Sequence, residues 1–196
     1  FKLPTVEVTK YKRGEKEFTT EALKWQGAKV GALMLGGVTT EIPAVLKELS
    51  KLKMNIPVAT LQTGTIPMVS KMSAQYGLNY YTADYVATID SDRAKHFRAL
   101  AKPHLTEEER SKLNHYGIAA YLGARVMIKA IEACGKDVTR TCVAAKIKAM
   151  RNFDTNGLAK PFDFSNPKNT AATSVMVMKA DPVKGTFTDL TGFVDY

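Results

Sequence analysis

The residues with reactive side chains come first: two cysteines, three histidines, and the carboxylates, tyrosines and threonines around the glycine-rich turns. Cys134 and Cys142 stand eight positions apart, which is neither CxxC nor a metal-ligand spacing. They flank GKDVTRT, a turn between two helical patterns. Either they meet as a local disulfide, which implies an oxidising compartment, or they are two small buried residues. His96, His104 and His115 are not spaced like ligands. There is no G-x-S-x-G elbow, no Cys/His pair and no poised pair of carboxylates. Glu15 and Glu17 fall in a hydrophilic loop and read as solvated, while Tyr80, Tyr81 and Tyr85 read as core. The pattern predicts no enzyme, no metal and no cofactor.

What stands out is a turn. In LMLGGVTTEIP, Leu33 to Pro43, an apolar run ends in Gly36-Gly37, then two threonines and a helix start. It is not a dinucleotide or P-loop fingerprint, because neither G-x-G-x-x-G nor G-x-x-x-x-G-K-[ST] occurs. It has a twin. EIPAV (Glu41 to Val45) and TIPMV (Thr65 to Val69) share Ile-Pro-x-Val, 24 positions apart, and each follows a Gly/Thr turn. Proline suits the first turn of a helix, and a preceding threonine can cap it. The turns are either tight corners alone or corners whose N–H groups and hydroxyls meet a small polar ligand. Their repetition favours the ligand.

The elements that must position these turns alternate. PTVEVTKYK has strand alternation. KEFTTEALKWQGA follows with Phe18, Ala22 and Trp25 at helical spacing. KVGALMLGG reads as a buried strand. In TEIPAVLKELSKLKM, Ile42, Val45, Leu46, Leu49 and Leu52 form one stripe. IPVATLQTG, TIPMVSKMSAQYG and NYYTADYVAT read as strand, helix and strand. This β-α-β-α-β-α-β order predicts an α/β fold, a parallel sheet flanked by helices, with both turns on its carboxyl edge. From Ser91 the pattern turns helical: Ser91 to Lys102, Leu105 to Gly135 with Thr106 as a cap, and Thr139 to Phe153. The remainder is strand- and turn-like, with SVMVMKA the clearest strand. The helical block carries more apolar face (Ile118, Tyr121, Leu122, Val126, Met127, Ile131) than so small a sheet can cover, so it requires a further layer.

Composition sets outer limits. The chain has 196 residues, 45% hydrophobic and 24% charged, long for one domain and short for two. No apolar run reaches the roughly 18 residues of a membrane span. It opens on Phe1-Lys2-Leu3-Pro4 without a signal-peptide pattern, as a processed or truncated chain would. The net charge is +9, but the lysines are interleaved with acids. The densest patch, Lys10 to Arg13, is followed at once by Gly14-Glu15-Lys16-Glu17. No nucleic-acid-binding motif accompanies it, so a solvated basic surface is the reading and nucleic acid is not a predicted partner.

Three stretches, in order along the chain, resemble the C-terminal half of type I periplasmic solute-binding proteins, the branched-chain amino acid (leucine/isoleucine/valine-type) receptors of ABC transporters. They are YKRGEKEFTTEALKWQGAKVGALMLGG, HYGIAAYLGARVMIKAIEACGKDVTR and MRNFDTNGLAKPFDFSNPKNTAATSVMVMKA. The resemblance implies two lobes joined by three crossovers, with a small-molecule ligand closed between them and an ABC permease as partner. The location would be periplasmic, or extracellular and membrane-anchored. It assigns residues 1–85 to the second lobe, 86–152 to helices of the first, and 153–196 to a return to the second. The missing N-terminal half would cover the apolar helices. Carried over, the ligand-binding positions are Gly37, Val38 and Thr39 in the first turn and Gln62, Thr63 and Gly64 in the second. Amino-acid receptors place a carboxylate beside the second turn to pair with an ammonium. Here that turn is neutral, and Val38 replaces a common aromatic, so an amide or organic acid fits at least as well as an amino acid. A ligand-sensing domain of a signalling receptor or regulator is the alternative use of the same fold.

Overall fold

A computed structural model describes residues 4–165, 171–181 and 183–196. Phe1 to Leu3 and the Asn166 to Thr170 part of the third stretch lie outside the described residues. The elements are α1 (Thr19–Gly27), β1 (Leu33–Leu35), α2 (Glu41–Lys51), β2 (Val58–Thr60), α3 (Pro67–Gln75), β3 (Tyr80–Asp84), α4 (Lys95–Ala101), α5 (Glu107–Ser111), α6 (His115–Glu132), α7 (Arg140–Ala149), β4 (Ser174–Asp181) and β5 (Thr186–Asp195). The sheet order is β1-β2-β3-β4-β5. β1 pairs parallel with β2, Leu33 opposite Val58, and β2 parallel with β3, Val58 opposite Tyr80.

The chain forms two compact units, residues 1–84 with 177–190 and residues 85–176 with 191–196. In unit 1 the predicted stripe of α2 is the core: Ile42, Val45, Leu46 and Leu49 are fully buried with Phe18, Ala22, Trp25, Val58 and Val69. Apolar residues at this helical spacing fold the helix onto the sheet because one face leaves water. Unit 2 is built on Val86, Phe97, Ile118, Leu122, Val126, Phe153, Leu158 and Phe162. Thr106 closes a capping box with Glu109, and Thr139 caps α7 by accepting from Cys142 N at 3.1 Å. Cys134 and Cys142 are joined as a disulfide between the end of α6 and the start of α7.

Two expectations change. Pro4 to Lys12 is not a strand: among the described residues it joins no ladder, and Val6 and Val8 are 58% and 69% exposed. Alternation needs a neighbouring strand to become a ladder. The single helix from Leu105 to Gly135 is two, because Asn114 takes the N-cap of α6 and its Oδ1 accepts from Tyr116 N at 2.9 Å. Residues 177–190 pack with unit 1, and the stretch from Phe153 to Met176 packs with unit 2. Phe153 and Phe162 exchange backbone hydrogen bonds of 2.8 and 3.1 Å, and both belong to the second core.

Candidate functional site

The two twin turns are neighbours in unit 1, as a parallel β1–β2 pairing requires of successive carboxyl ends. A bond ties them together: Thr63 Oγ1 donates to the Gly37 carbonyl at 2.5 Å. Thr39 and Gln62 are exposed, and Gly37, Val38 and Thr63 are half-buried. Gly64 is buried, and its glycine identity has a packing cause. A Cβ there would stand 1.9 Å from Tyr80 Oη and 2.3 Å from Thr60 Oγ1.

Beneath the second turn lies a buried hydroxyl network. Thr60 Oγ1 and Tyr80 Oη share a hydrogen bond of 2.6 Å, and Tyr80 Oη donates to the Gly64 carbonyl at 3.3 Å. Thr82 Oγ1 donates to the Leu61 carbonyl at 2.9 Å and pairs with Thr65 Oγ1 at 3.0 Å. Burial pushes the Tyr80 hydroxyl far above the usual phenol range. So Tyr80 is a neutral donor at any ordinary pH, and it pairs the buried Gly64 carbonyl. Thr65 does not cap a helix, contrary to expectation. It faces Thr82, and Pro67 opens α3 at its first position.

The first turn is held differently. Thr40 makes no side-chain cap. The carboxylate of Glu41, only 1% exposed, instead ties the turn together by accepting from Val38 N at 3.1 Å and from Gly14 N at 2.6 Å. Burial alone would raise its pKa. The backbone N–H groups of Gly14, Glu41 itself and Val38, with Arg13 nearby, outweigh burial and hold it below the ordinary carboxylate value. Tyr11 Oη donates to the Gly36 carbonyl. Burial, then the Glu41 charge, raises the Tyr11 pKa.

Of the six sequence-predicted positions, Thr63 and Gly37 meet directly, Gly64 packs inward, and Thr39 and Gln62 face out. Sequence reasoning missed Glu41, Tyr11 and the hydroxyls of Thr60, Tyr80 and Thr82. A glutamate opening a helix just after a glycine turn was the usable signal, because its carboxylate can fold back on the turn's N–H groups. Among the described residues no group of His, Cys, Asp or Glu could hold a metal ion, and no helix is long and apolar enough to cross a membrane.

A concavity lies within unit 2. It is an apolar groove of about 300 Å³ lined by residues that include Tyr85, Ala119, Leu122, Gly123, Val126 and Phe162. It lacks the convergent polar groups that fix a ligand's orientation.

Known proteins resemble this arrangement. A branched-chain amino acid ABC transporter protein from Thermus thermophilus, solved with bound valine, superposes with a TM-score of 0.83 at 17% identity. The match covers 97% of this chain and 53% of that one. A fatty acid ABC transporter substrate-binding protein from Thermomonospora curvata gives 0.77 at 17% identity, covering 93% of this chain and 48% of that one. An R. palustris ABC transporter solute-binding protein in complex with benzoate gives 0.71 at 15% identity, covering 93% and 49%. The chain thus spans about half the length of these solved proteins. No curated protein matches its sequence. The profile of the periplasmic binding protein family matches residues 2–186. On that match, the chain belongs to the periplasmic binding protein family.

Proposed function

We propose that this chain is the C-terminal half of a periplasmic, or extracellular and membrane-anchored, solute-binding receptor that hands a small polar solute to an ABC permease. Its role is binding without turnover. The observation that carries this reading is the pair of glycine-and-threonine turns at one sheet edge, bonded through Thr63 and Gly37, the second backed by a buried hydroxyl network. Rigid support beneath exposed polar positions suits recognition of a solute. Val38, Thr39, Gln62 and Thr63 are the proposed contacts, with Gly37 and Gly64 shaping the backbone.

The solute class follows from charge. A buried ammonium needs an anionic partner. The second turn is neutral, and the carboxylate at the first turn, Glu41, is turned inward onto Gly14 and Val38. An amide or organic acid therefore suits these turns better than an amino acid. Unit 2 is proposed to belong to the other lobe, and its groove to be covered by the N-terminal half of the same protein. The disulfide fits an oxidising compartment.

A thermal-shift screen of the full-length protein against amino acids, amides and aromatic acids tests the reading. Stabilisation by one class without its consumption is the expected result. Turnover of the stabilising compound would refute it, and preference for amino acids would refute the solute class.

A further inference from the structure

The densest basic segment of the chain, Lys10 to Arg13, has no role in the reading above, yet two bonds fasten its end to the first turn. Tyr11 Oη donates to the Gly36 carbonyl, and Gly14 N donates to Glu41 Oε1 at 2.6 Å. The other oxygen of the same carboxylate accepts from Val38 N at 3.1 Å. One buried carboxylate thus spans two segments, separated by 27 residues between Gly14 and Glu41. The geometry leaves little slack. A Cβ on Gly37 would stand 3.2 Å from both Tyr11 Oη and Ile42 Cγ1. Tyr11 also packs edge-on against the buried ring of Phe18, with centroids 5.2 Å apart, which anchors the loop from below.

We propose that Glu41 is the resident anion of the first turn, a positioning residue that with Tyr11 clamps the Tyr11–Gly14 loop there as a third wall of the ligand-facing edge. The wall rests on the receptor reading; the clamp does not. It answers what the N–H groups of the glycine turn face. The Val38 N–H faces a carboxylate of the chain itself, so an anionic solute does not use it. An incoming solute meets instead the side chains of Thr39, Gln62 and Thr63 and the loop carrying Lys12 and Arg13. The charged and titratable groups that act on Glu41 are Arg13, which lowers its pKa, and Tyr11, whose hydroxyl feels its charge.

The test uses the full-length protein as wild type, Glu41→Gln and Tyr11→Phe. Hydrogen–deuterium exchange reads the clamp. In Glu41→Gln, peptides spanning 10–16 and 36–40 should exchange together about tenfold faster, a loss of charge-assisted hydrogen bonds, while β2 and β3 stay unchanged. Loosening of only one of the two segments, or of neither, overturns the clamp. Wild-type protection of both segments, corrected for intrinsic exchange, should fall as pH drops through the Glu41 titration, and Glu41→Gln should show no such fall. Tyr11→Phe keeps the carboxylate bridge and should loosen the same two segments by less; it decides the matter should Glu41→Gln fail to fold. L-valine, benzoate and benzamide are the binding probes. Whichever binds wild type should bind Glu41→Gln about tenfold more weakly. Affinity unchanged within about twofold overturns the wall. Binding of none of the three refutes the receptor reading for these solute classes, and the wall with it, while exchange still decides the clamp.

Discussion

Unit 1 holds a buried polar network where unit 2 holds an open apolar groove. In unit 1 the core closes around α2, and the polar groups beneath the turns are paired with one another: Thr60 with Tyr80, Thr65 with Thr82, Glu41 with two backbone N–H groups. In unit 2, α6 buries Ile118, Leu122 and Val126, but Tyr116 and Ile128 are 51% and 55% exposed and the groove beside Gly123 is open and apolar. A contiguous apolar surface marks an interaction site where scattered exposed apolar residues do not, and the proposed N-terminal half would supply its cover. The difference teaches where each unit keeps its information. In unit 1 a polar network specifies two turns, and in unit 2 the proposal of an absent covering half rests on an apolar face.

The largest expected effect tests the polar network of unit 1. Gly64→Ala places a methyl against Tyr80 Oη and Thr60 Oγ1, both buried, and should lower stability by about 3 kcal/mol. Chemical denaturation measures it. A loss below about 1 kcal/mol would mean that the network yields easily and does not hold the turn. Next is the staple of unit 2. Replacing Cys134 and Cys142 by serine should cost about 2.5 kcal/mol, the chain-entropy value for so short a loop. The loss should appear as faster amide exchange in α7 and the end of α6, and unit 1 should be untouched.

Smaller effects separate the two ways unit 1 holds its turns. Tyr80→Phe keeps the ring and removes the hydroxyl that serves Thr60 and Gly64, at about 1–2 kcal/mol by denaturation. Its effect should not depend on pH between neutral and mildly acidic, since Tyr80 is neutral throughout. The Glu41 contribution should depend on pH. Its folded pKa is depressed, so its stabilisation is fully present above the unfolded value and is lost as pH falls through the folded one. Wild type should therefore lose more stability than Glu41→Gln on acidification below the ordinary glutamate pKa, in paired thermal melts.

Much of this architecture was legible in the sequence. The stripe Ile42, Val45, Leu46, Leu49 is buried as its spacing requires, and the twin turns lie side by side because successive strands of a parallel sheet put them there. Thr106 caps as read from the sequence, and the structure adds the reciprocal bond to Glu109. What escaped depends on residues far along the chain. The Val6/Val8 alternation became no strand because pairing belongs to the neighbour and not to the segment. The inward turn of Glu41 depends on a loop 27 residues away. The neutrality of the second turn was legible, but the burial of the one nearby carboxylate was not.

The smallest effect bears most directly on the comparison. Gly123 lies inside α6, where glycine is less favourable than alanine by about 1 kcal/mol. A Cβ there meets nothing within 4 Å among the described residues, so none of them requires glycine. Gly123→Ala should therefore stabilise the 196-residue chain by about 1 kcal/mol. In the full-length protein the sign should reverse. If the N-terminal half packs into the groove, the added methyl meets a close-packed neighbour and costs about 1 kcal/mol or more. The helix propensity gain is the same in both backgrounds, so the difference between the two denaturation curves isolates the contact. Stabilisation of equal size in both would show that nothing approaches Gly123, and that the groove of unit 2 is a surface in its own right.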